Sequence, residues 1–325
     1  MIGYYVHHHG SGHLMRARAI TAHLDEKITY LSSLPQPWPL RSGDRWLQLA
    51  PDVDDNAAEV SDVDAHGRLH WAPLDTPGIA ARCKQFLDAI VDAAPRRVVV
   101  DVSVEAALLT RLAGCRVTIM AMPGQRADPA HLLAYDIADQ IVAPWAAALH
   151  QPEWLVRQRE RVRYVGAISR FDRTRRRPAR SQRRGVLLAG SGGDRLPADA
   201  LDQLGAAAPE LVWHAAGGCA GWIDDMWPLL DGAEVVVSHA GQGALADVSL
   251  SGAAAVVLPQ DRPFGEQEAT ADALARNAIA VTAAQWPAAE QWPSLIARAR
   301  ALSPLRWNML DTVGAAQRAA QVIAQ

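Results

Sequence analysis

Apolar residues in this chain come in short uninterrupted runs. Each run is followed by a turn of glycine, proline or small polar residues, and then by apolar positions three and four apart. A continuous run suits a strand covered on both faces, and the wider spacing suits a helix with one buried stripe. Residues 2–6, 28–31, 46–49, 98–100, 117–121 and 140–143 read as strands, and so do 186–189, 234–238 and 254–258. Helices are expected over 14–24, 77–93, 129–137 and 313–323; in the second of these Ile79, Cys83, Phe86, Leu87 and Ile90 share a face. Ser103 and Glu105 open a further helix that reaches Leu112, and Glu266, Gln267 and Glu268 begin another. Strand and helix alternate throughout, which predicts an α/β fold whose parallel sheets are covered on both sides.

The 325 residues exceed one ordinary domain and suit two. The best join is the stretch holding Arg170, Arg173, Arg175, Arg176, Arg177, Arg180, Arg183 and Arg184, which has little apolar content. It reads as a solvated connection. The sharper alternative, a basic patch for anionic lipid or a phosphorylated acceptor, lacks an apolar surface to insert. The expected divisions are 1–167, a linker at 168–184, 185–307 and a final segment at 308–325.

Half the residues are hydrophobic, 21% are charged and the formal net charge is −3, so the composition calls for no nucleic-acid partner. Arginine greatly outnumbers lysine and alanine is abundant, which fits a GC-rich bacterial genome. Cys83, Cys115 and Cys219 are odd in number and far apart, which argues against a disulfide framework or a metal knuckle and fits a reducing cytoplasm. Neither a charged-then-apolar leader nor a run of about 18 apolar residues is seen, so any membrane contact is expected to be peripheral, at the inner face.

Two glycine turns carry the candidate chemistry. Residues 234–238 run straight into His239, Ala240, Gly241, Gln242 and Gly243, after which the pattern turns helical. Glycine lets a backbone approach a ligand, and the first amides of the new helix lack internal partners, so the turn has the outline of a phosphate site. A second βα unit follows at once, ending its strand in Pro259, Gln260 and Asp261; ligands of open α/β sheets collect at such carboxyl ends. Near the N-terminus His7, His8, His9, Gly10, Ser11, Gly12 and His13 form another strand-to-helix turn. Met15 stands where a dinucleotide fingerprint requires its third glycine, which argues against a nicotinamide enzyme. The adjacent histidines point in different directions and have no Cys or carboxylate at ligand spacing, so no metal site is expected. Asp101, at the end of its strand, reads either as a helix cap or as a functional carboxylate.

These motifs resemble the GT-B glycosyltransferases, in particular the family of the bacterial peptidoglycan N-acetylglucosaminyltransferase and, more distantly, the plant and macrolide sugar transferases. Trp222, Ile223, Asp224, Asp225 and Met226 are similar to the family's aromatic-Ile-Asp-Asp-Met segment, and Gly190, Ser191, Gly192 and Gly193 to the first loop of its C-terminal domain. The resemblance implies two facing Rossmann-like domains, the N-terminal one binding the acceptor and the C-terminal one the nucleotide sugar, with the last helix crossing back. It implies an inverting, metal-independent hexosyl transfer from a UDP- or dTDP-sugar to a hydroxyl acceptor, the nucleotide sugar being co-substrate and no cofactor being required.

In this resemblance His13 is the base, and Asp101 orients it, with Glu105 as the competing carboxylate. Gly12, Ser191, Gly192, Gly193, His239, Gly241, Gln242 and Gly243 approach the diphosphate; Trp222 and Ile223 hold the base of the nucleotide, Asp247 the ribose, and Glu266 and Gln267 the sugar hydroxyls. Residues 51–77, irregular and rich in Asp, Gly and His, would face the acceptor or form a solvated excursion. Two departures weaken the assignment of UDP in particular: Ala244 replaces a Ser or Thr phosphate ligand, and Asp247 a longer Glu. A nucleotide-sugar epimerase and a non-catalytic nucleotide-binding homologue acting through a partner are the rival readings. The acceptor and the oligomeric state are not encoded in any motif here.

Overall fold

The computed structural model describes residues 1–52, 62–171, 183–190, 196–221, 223 and 225–325. Strands β1 (Ile2–Tyr5), β2 (Ile28–Ser32), β3 (Arg45–Gln48), β4 (Arg97–Asp101), β5 (Arg116–Met120), β6 (Gln140–Ala143) and β7 (Val162–Tyr164) form one sheet in the order β3-β2-β1-β4-β5-β6-β7. Strands β8 (Arg184–Leu188), β9 (Val212–Ala216), β10 (Ala233–His239), β11 (Ala254–Leu258) and β12 (Val281–Thr282) form another, ordered β12-β11-β10-β8-β9. Every pairing in both sheets is parallel. Helices α1 (Gly12–Thr21), α2 (Pro77–Ala93), α3 (Val104–Leu112), α4 (Pro129–Ile137) and α5 (Glu153–Val156) belong to the first half. The second contains α6 (Ala200–Ala207), α7 (Trp227–Leu230), α8 (Gln242–Ser251), α9 (Glu266–Arg276) and α10 (Trp292–Ala301), and α11 (Ala315–Ala324) comes last.

Parallel strands linked by helices are buried on both faces, and the alternation along each strand decides which residue meets which layer. In β4, Val98 and Val100 join Phe86 and Ile90 of α2 and Ala106 and Ala107 of α3, whereas Val99 points to the opposite layer. That layer is built from Leu14, Ala17 and Ile20 of α1 together with Ala315, Ala319, Ala320 and Ile323 of α11. The last helix therefore covers the first sheet. In the second half Val235 and Val237 pack on Leu204 of α6 and on Trp292 and Ile296 of α10, while Val236 meets Leu245 of α8 and Leu274 of α9. Phe86 and Trp292 are almost fully buried, and burial of a side chain of Phe size contributes roughly 2–3 kcal/mol relative to its exposed state.

Local chemistry sets several boundaries. Ser103 caps α3 by accepting from the Ala106 amide, and Asp128 caps α4 by accepting from His131, with Pro129 in the first helical position. Helix α1 starts at Gly12, two residues before the first periodic leucine, so His13 stands in its first turn. Strands β7, β9 and β12, which the apolar pattern does not announce, are the edge strands of their sheets, where one side has no neighbour to demand a continuous apolar run, and β7 and β12 are also short. Most of the arginine-rich linker, residues 172–182, lies outside the described residues. Among those described, no helix is long and apolar enough to cross a membrane.

Candidate functional site

In the first sheet the chain runs from β1 through β2 to β3 in one direction, then from β4 to β7 in the other. The connections leaving β1 and β4 diverge, and an open α/β sheet binds ligands in the crevice between them. His13 follows β1, and Asp101 is the last residue of β4. The second sheet reverses in the same way between β8 and β10, so its crevice lies between the turn after Leu188 and the turn after His239. The two crevices share a cavity of ≈ 1080 Å³, lined by Gly12 and His13 from the first half. From the second half it is lined by Ile223, His239, Gly241, Gln242, Gly243, Asp247, Glu266 and Gln267. Ser191, Gly192, Gly193 and Trp222 lie outside the described residues.

Asp101 is fully buried behind His13, whose Nδ1 stands 2.9 Å from its Oδ1. Sequence reasoning missed the third member, Arg16, one helical turn after His13. Its Nε donates to Asp101 Oδ2 at 3.1 Å, and its Nη2 contacts both Asp101 Oδ1 and, at 3.0 Å, His13 Nδ1. Nη1 reaches across to Gln242 Oε1 at 3.1 Å. Burial alone would raise the Asp101 carboxyl, but the Arg16 guanidinium and the His13 ring hold it well below the usual carboxylate range. The signal was available: a carboxylate at the end of a buried strand requires a cation, and Arg16 is at the i+3 spacing that shares a helix face with His13. Val102, next to Asp101, has φ 75°, an uncommon conformation for a β-branched residue and a mark of local strain beside the site. Glu105 is committed elsewhere, accepting from the amides of His70 and Trp71 at 2.8 and 3.0 Å.

Helix α8 begins at the second turn with Gly241 as its N-cap, a residue with no side chain to satisfy the first amides. A Cβ built on Gly12, Gly241 or Gly243 would meet nothing within 4 Å, so the protein's own packing does not require glycine there. The open space is on the cavity side of a helix N-terminus, whose amides and dipole favour an anion. His239 Nδ1 lies 3.0 Å from the Leu258 carbonyl, which makes it the protonated ring nitrogen. Gln267 Oε1 accepts from both Ala240 and Gln260 amides at 3.0 Å, committing that oxygen to the backbone rather than to a ligand. Asp247 accepts from Ser169 Oγ at 2.6 Å, from Arg170 Nε at 3.0 Å and from the Arg170 backbone amide, using three of a carboxylate's roughly four acceptor positions. Burial outweighs Arg170 and Ser169 and pushes its carboxyl up to about 6.

The halves also meet at a loop. Gln125 donates its amide to the Phe264 carbonyl at 2.7 Å, and Arg126 lies over the Phe264 ring and 3.6 Å from Glu266. Gly124, at φ 100°, allows this approach, since a Cβ there would come within 2.3 Å of the Phe264 oxygen. Burial raises the Glu266 carboxyl, with Arg126 opposing. Beside this loop His70, Asp128 and His131 bring ligand atoms within 4.8 Å of one another. Arg126 Nη1 donates to His131 Nε2 at 3.0 Å, so in the neutral ring the proton sits on Nδ1, which faces Asp128. In the structure Asp128 ties the two histidines together, with His70 Nε2 2.9 Å from its Oδ1. Of the N-terminal histidines, His7 is pushed down to about 2 by burial and by its histidine neighbours, and His8 stands 3.4 Å from Asp52.

Residues 217–292 match the glycosyltransferase family 28 C-terminal domain. No curated protein matches the chain. Among solved structures, the glycotransferase of kitacinnamycin is similar over 99% of this chain and 98% of its own, at 17% identity and a TM-score of 0.66. MurG of Acinetobacter baumannii is similar over the same shares at 16% identity and a TM-score of 0.61. The spinosyn rhamnosyltransferase SpnG complexed with thymidine diphosphate aligns over 100% of this chain and 96% of its own, at 16% identity and a TM-score of 0.58. These likenesses establish the GT-B fold along the whole chain.

Proposed function

We propose that this GT-B protein, with its family 28 C-terminal domain, transfers a hexosyl group from a nucleoside diphosphate sugar to an acceptor hydroxyl with inversion at the anomeric carbon. The observation that carries this reading is the pairing of two switch points across one cavity: the His13–Asp101 pair at one, an uncapped glycine turn and helix N-terminus at the other. In this reading His13 removes the acceptor proton as the hydroxyl attacks, and Asp101 stabilises the imidazolium that forms. The diphosphate leaves toward the first turn of α8, where amides from Gln242, Gly243 and Ala244 take up developing negative charge in place of a metal. Asp247 receives a ribose hydroxyl with its remaining acceptor position, and Glu266 faces the sugar. The thymidine diphosphate named with SpnG supports a dTDP-sugar as readily as a UDP-sugar.

The test is a panel of UDP- and dTDP-sugars incubated with cell extract, with products read by mass spectrometry and nucleoside diphosphate release read in parallel. His13→Ala is expected to lower turnover by about 100- to 10,000-fold with nucleotide affinity nearly unchanged, because a base assists only in the transition state. A folded His13→Ala protein with wild-type turnover would sink the assignment. Release of free epimerised sugar without any acceptor would favour an epimerase instead.

A further inference from the structure

We propose that Arg16 switches His13 between an inert and a basic tautomer according to whether an anion occupies the first turn of α8; the proposal rests on reading that turn as the diphosphate site. His13 Nδ1 has either one hydrogen or one lone pair. It stands 2.9 Å from Asp101 Oδ1, which can only accept, and 3.0 Å from Arg16 Nη2, which can only donate. One of the two contacts is therefore a hydrogen bond at any moment. When Nδ1–H donates to Asp101, Nε2 is bare and can take a proton. When Nδ1 accepts from Arg16, the proton sits on Nε2 and the ring cannot act as a base.

Two features bear on which arrangement holds. Asp101 already receives Arg16 Nε on Oδ2, so it remains paired without the histidine. Asp101 is fully buried, so that carboxylate has no water to turn to instead. The balance is linked to the second half through Arg16 Nη1, which donates to Gln242 Oε1, a neutral acceptor on the first residue of α8. A phosphate seated on that turn offers an ionised acceptor, and such charge-assisted bonds are roughly twice as strong as neutral ones. The guanidinium is a rigid plane, so drawing Nη1 toward phosphate turns Nη2 away from His13 and from Asp101 Oδ1 together, which leaves that oxygen to Nδ1–H. Nδ1 then keeps Asp101 alone, and Nε2 is exposed as the base. One proton leaves Nε2 to solvent and one is taken up at Nδ1, so no net proton is bound. The base is thereby armed after the donor arrives, which makes Arg16 a positioning residue.

The experiment is nitrogen-15 NMR of the histidine rings in the full chain, with His13 assigned by His13→Gln and with UDP and dTDP titrated to saturation. In the wild type His13 is expected as mainly the Nε2–H tautomer without nucleotide and mainly Nδ1–H with it. Arg16→Met should hold the Nδ1–H form in both states. Arg16→Lys, which keeps the charge but not the fork, should lose the response. In turnover, Arg16→Met should raise the donor KM about tenfold, a larger factor than its effect on kcat. Calorimetry on the same samples separates the two claims: no nucleotide binding overturns the donor site and the switch with it, whereas binding without a tautomer change overturns the switch alone. Loss of kcat and Tm together at wild-type KM would also overturn it, since that pattern belongs to a purely structural arginine.

Discussion

Replacing Asp101 by Asn removes one charge from a place with no solvent and leaves the shape almost intact. The carboxylate lies 3.1 Å from Arg16 Nε, a separation that corresponds to about 5 kcal/mol of attraction at an effective dielectric of about 20. The amide recovers part of this by accepting one bond, and the variant no longer has to desolvate a carboxylate. Arg16 is left buried and uncompensated, so the expected loss is about 3–5 kcal/mol, the range for breaking one side of a buried pair. For a unit of this size that is a fall in Tm of roughly 10 °C. The pH dependence has a fixed sign. Asp101 titrates below its unfolded value, so its contribution is complete above about pH 4 and is lost only as pH falls through the lower folded-state value. The stability gap between wild type and variant should therefore be flat from pH 5 to 8 when measured by urea titration. Turnover should fall by at least about 100-fold, because His13 loses the partner that holds its productive tautomer and its cation. A gap below about 1 kcal/mol, or one that changes between pH 5 and 8, would refute the reasoning.

Asp247 gives the opposite kind of pH dependence. Its carboxyl is pushed up to about 6, and ribose hydroxyls need the ionised form, so nucleotide affinity should fall about tenfold from pH 7 to pH 5 in calorimetry, with a flat profile in Asp247→Asn. Gly243→Ala places a methyl group in open space, so urea stability should stay within about 1 kcal/mol while nucleotide affinity drops at least about tenfold; unchanged affinity would remove Gly243 from the site. Gln267→Ala orphans the buried amides of Ala240 and Gln260 at a cost of about 1–3 kcal/mol each, and a thermal shift of less than a degree would show that water replaces the carboxamide.

Much of this was legible in the sequence because it is local. Helix α2 occupies the span its apolar spacing marks, and His13, Gly241 and Gly243 lie where a strand meets a helix, so their place at the carboxyl ends follows from chain order alone. Asp101 could be read as a strand-end carboxylate, but its choice over Glu105 depended on which one the α1 histidine reaches across the sheet. The rest is non-local. Ser169 and Arg170 occupy Asp247 from 78 and 77 residues away, and Gln267, expected as a sugar ligand, also holds the backbone of two other loops through its side-chain oxygen. Phe264 meets Gly124, His70 and His131 only because two halves close on each other. Pairings of that kind leave no period in the chain.

The position of α11 also bears on how the protein is made. Its buried alanines and Ile323 complete the layer over β1 and α1, yet they are synthesised roughly 150 residues after β7, the last strand of the sheet they cover. At about 5–20 residues per second, the nascent first sheet waits on the order of 10–30 s for that cover while the entire second half emerges from the ribosome. During that interval Ile20, Ile28 and Val99 border a layer that lacks one of its helices, a surface suited to a chaperone that holds apolar patches. Translation speed through the second half thus becomes a determinant of yield for the first, and codon choice there should influence the recovery of folded protein more than codon choice within β1 to β7.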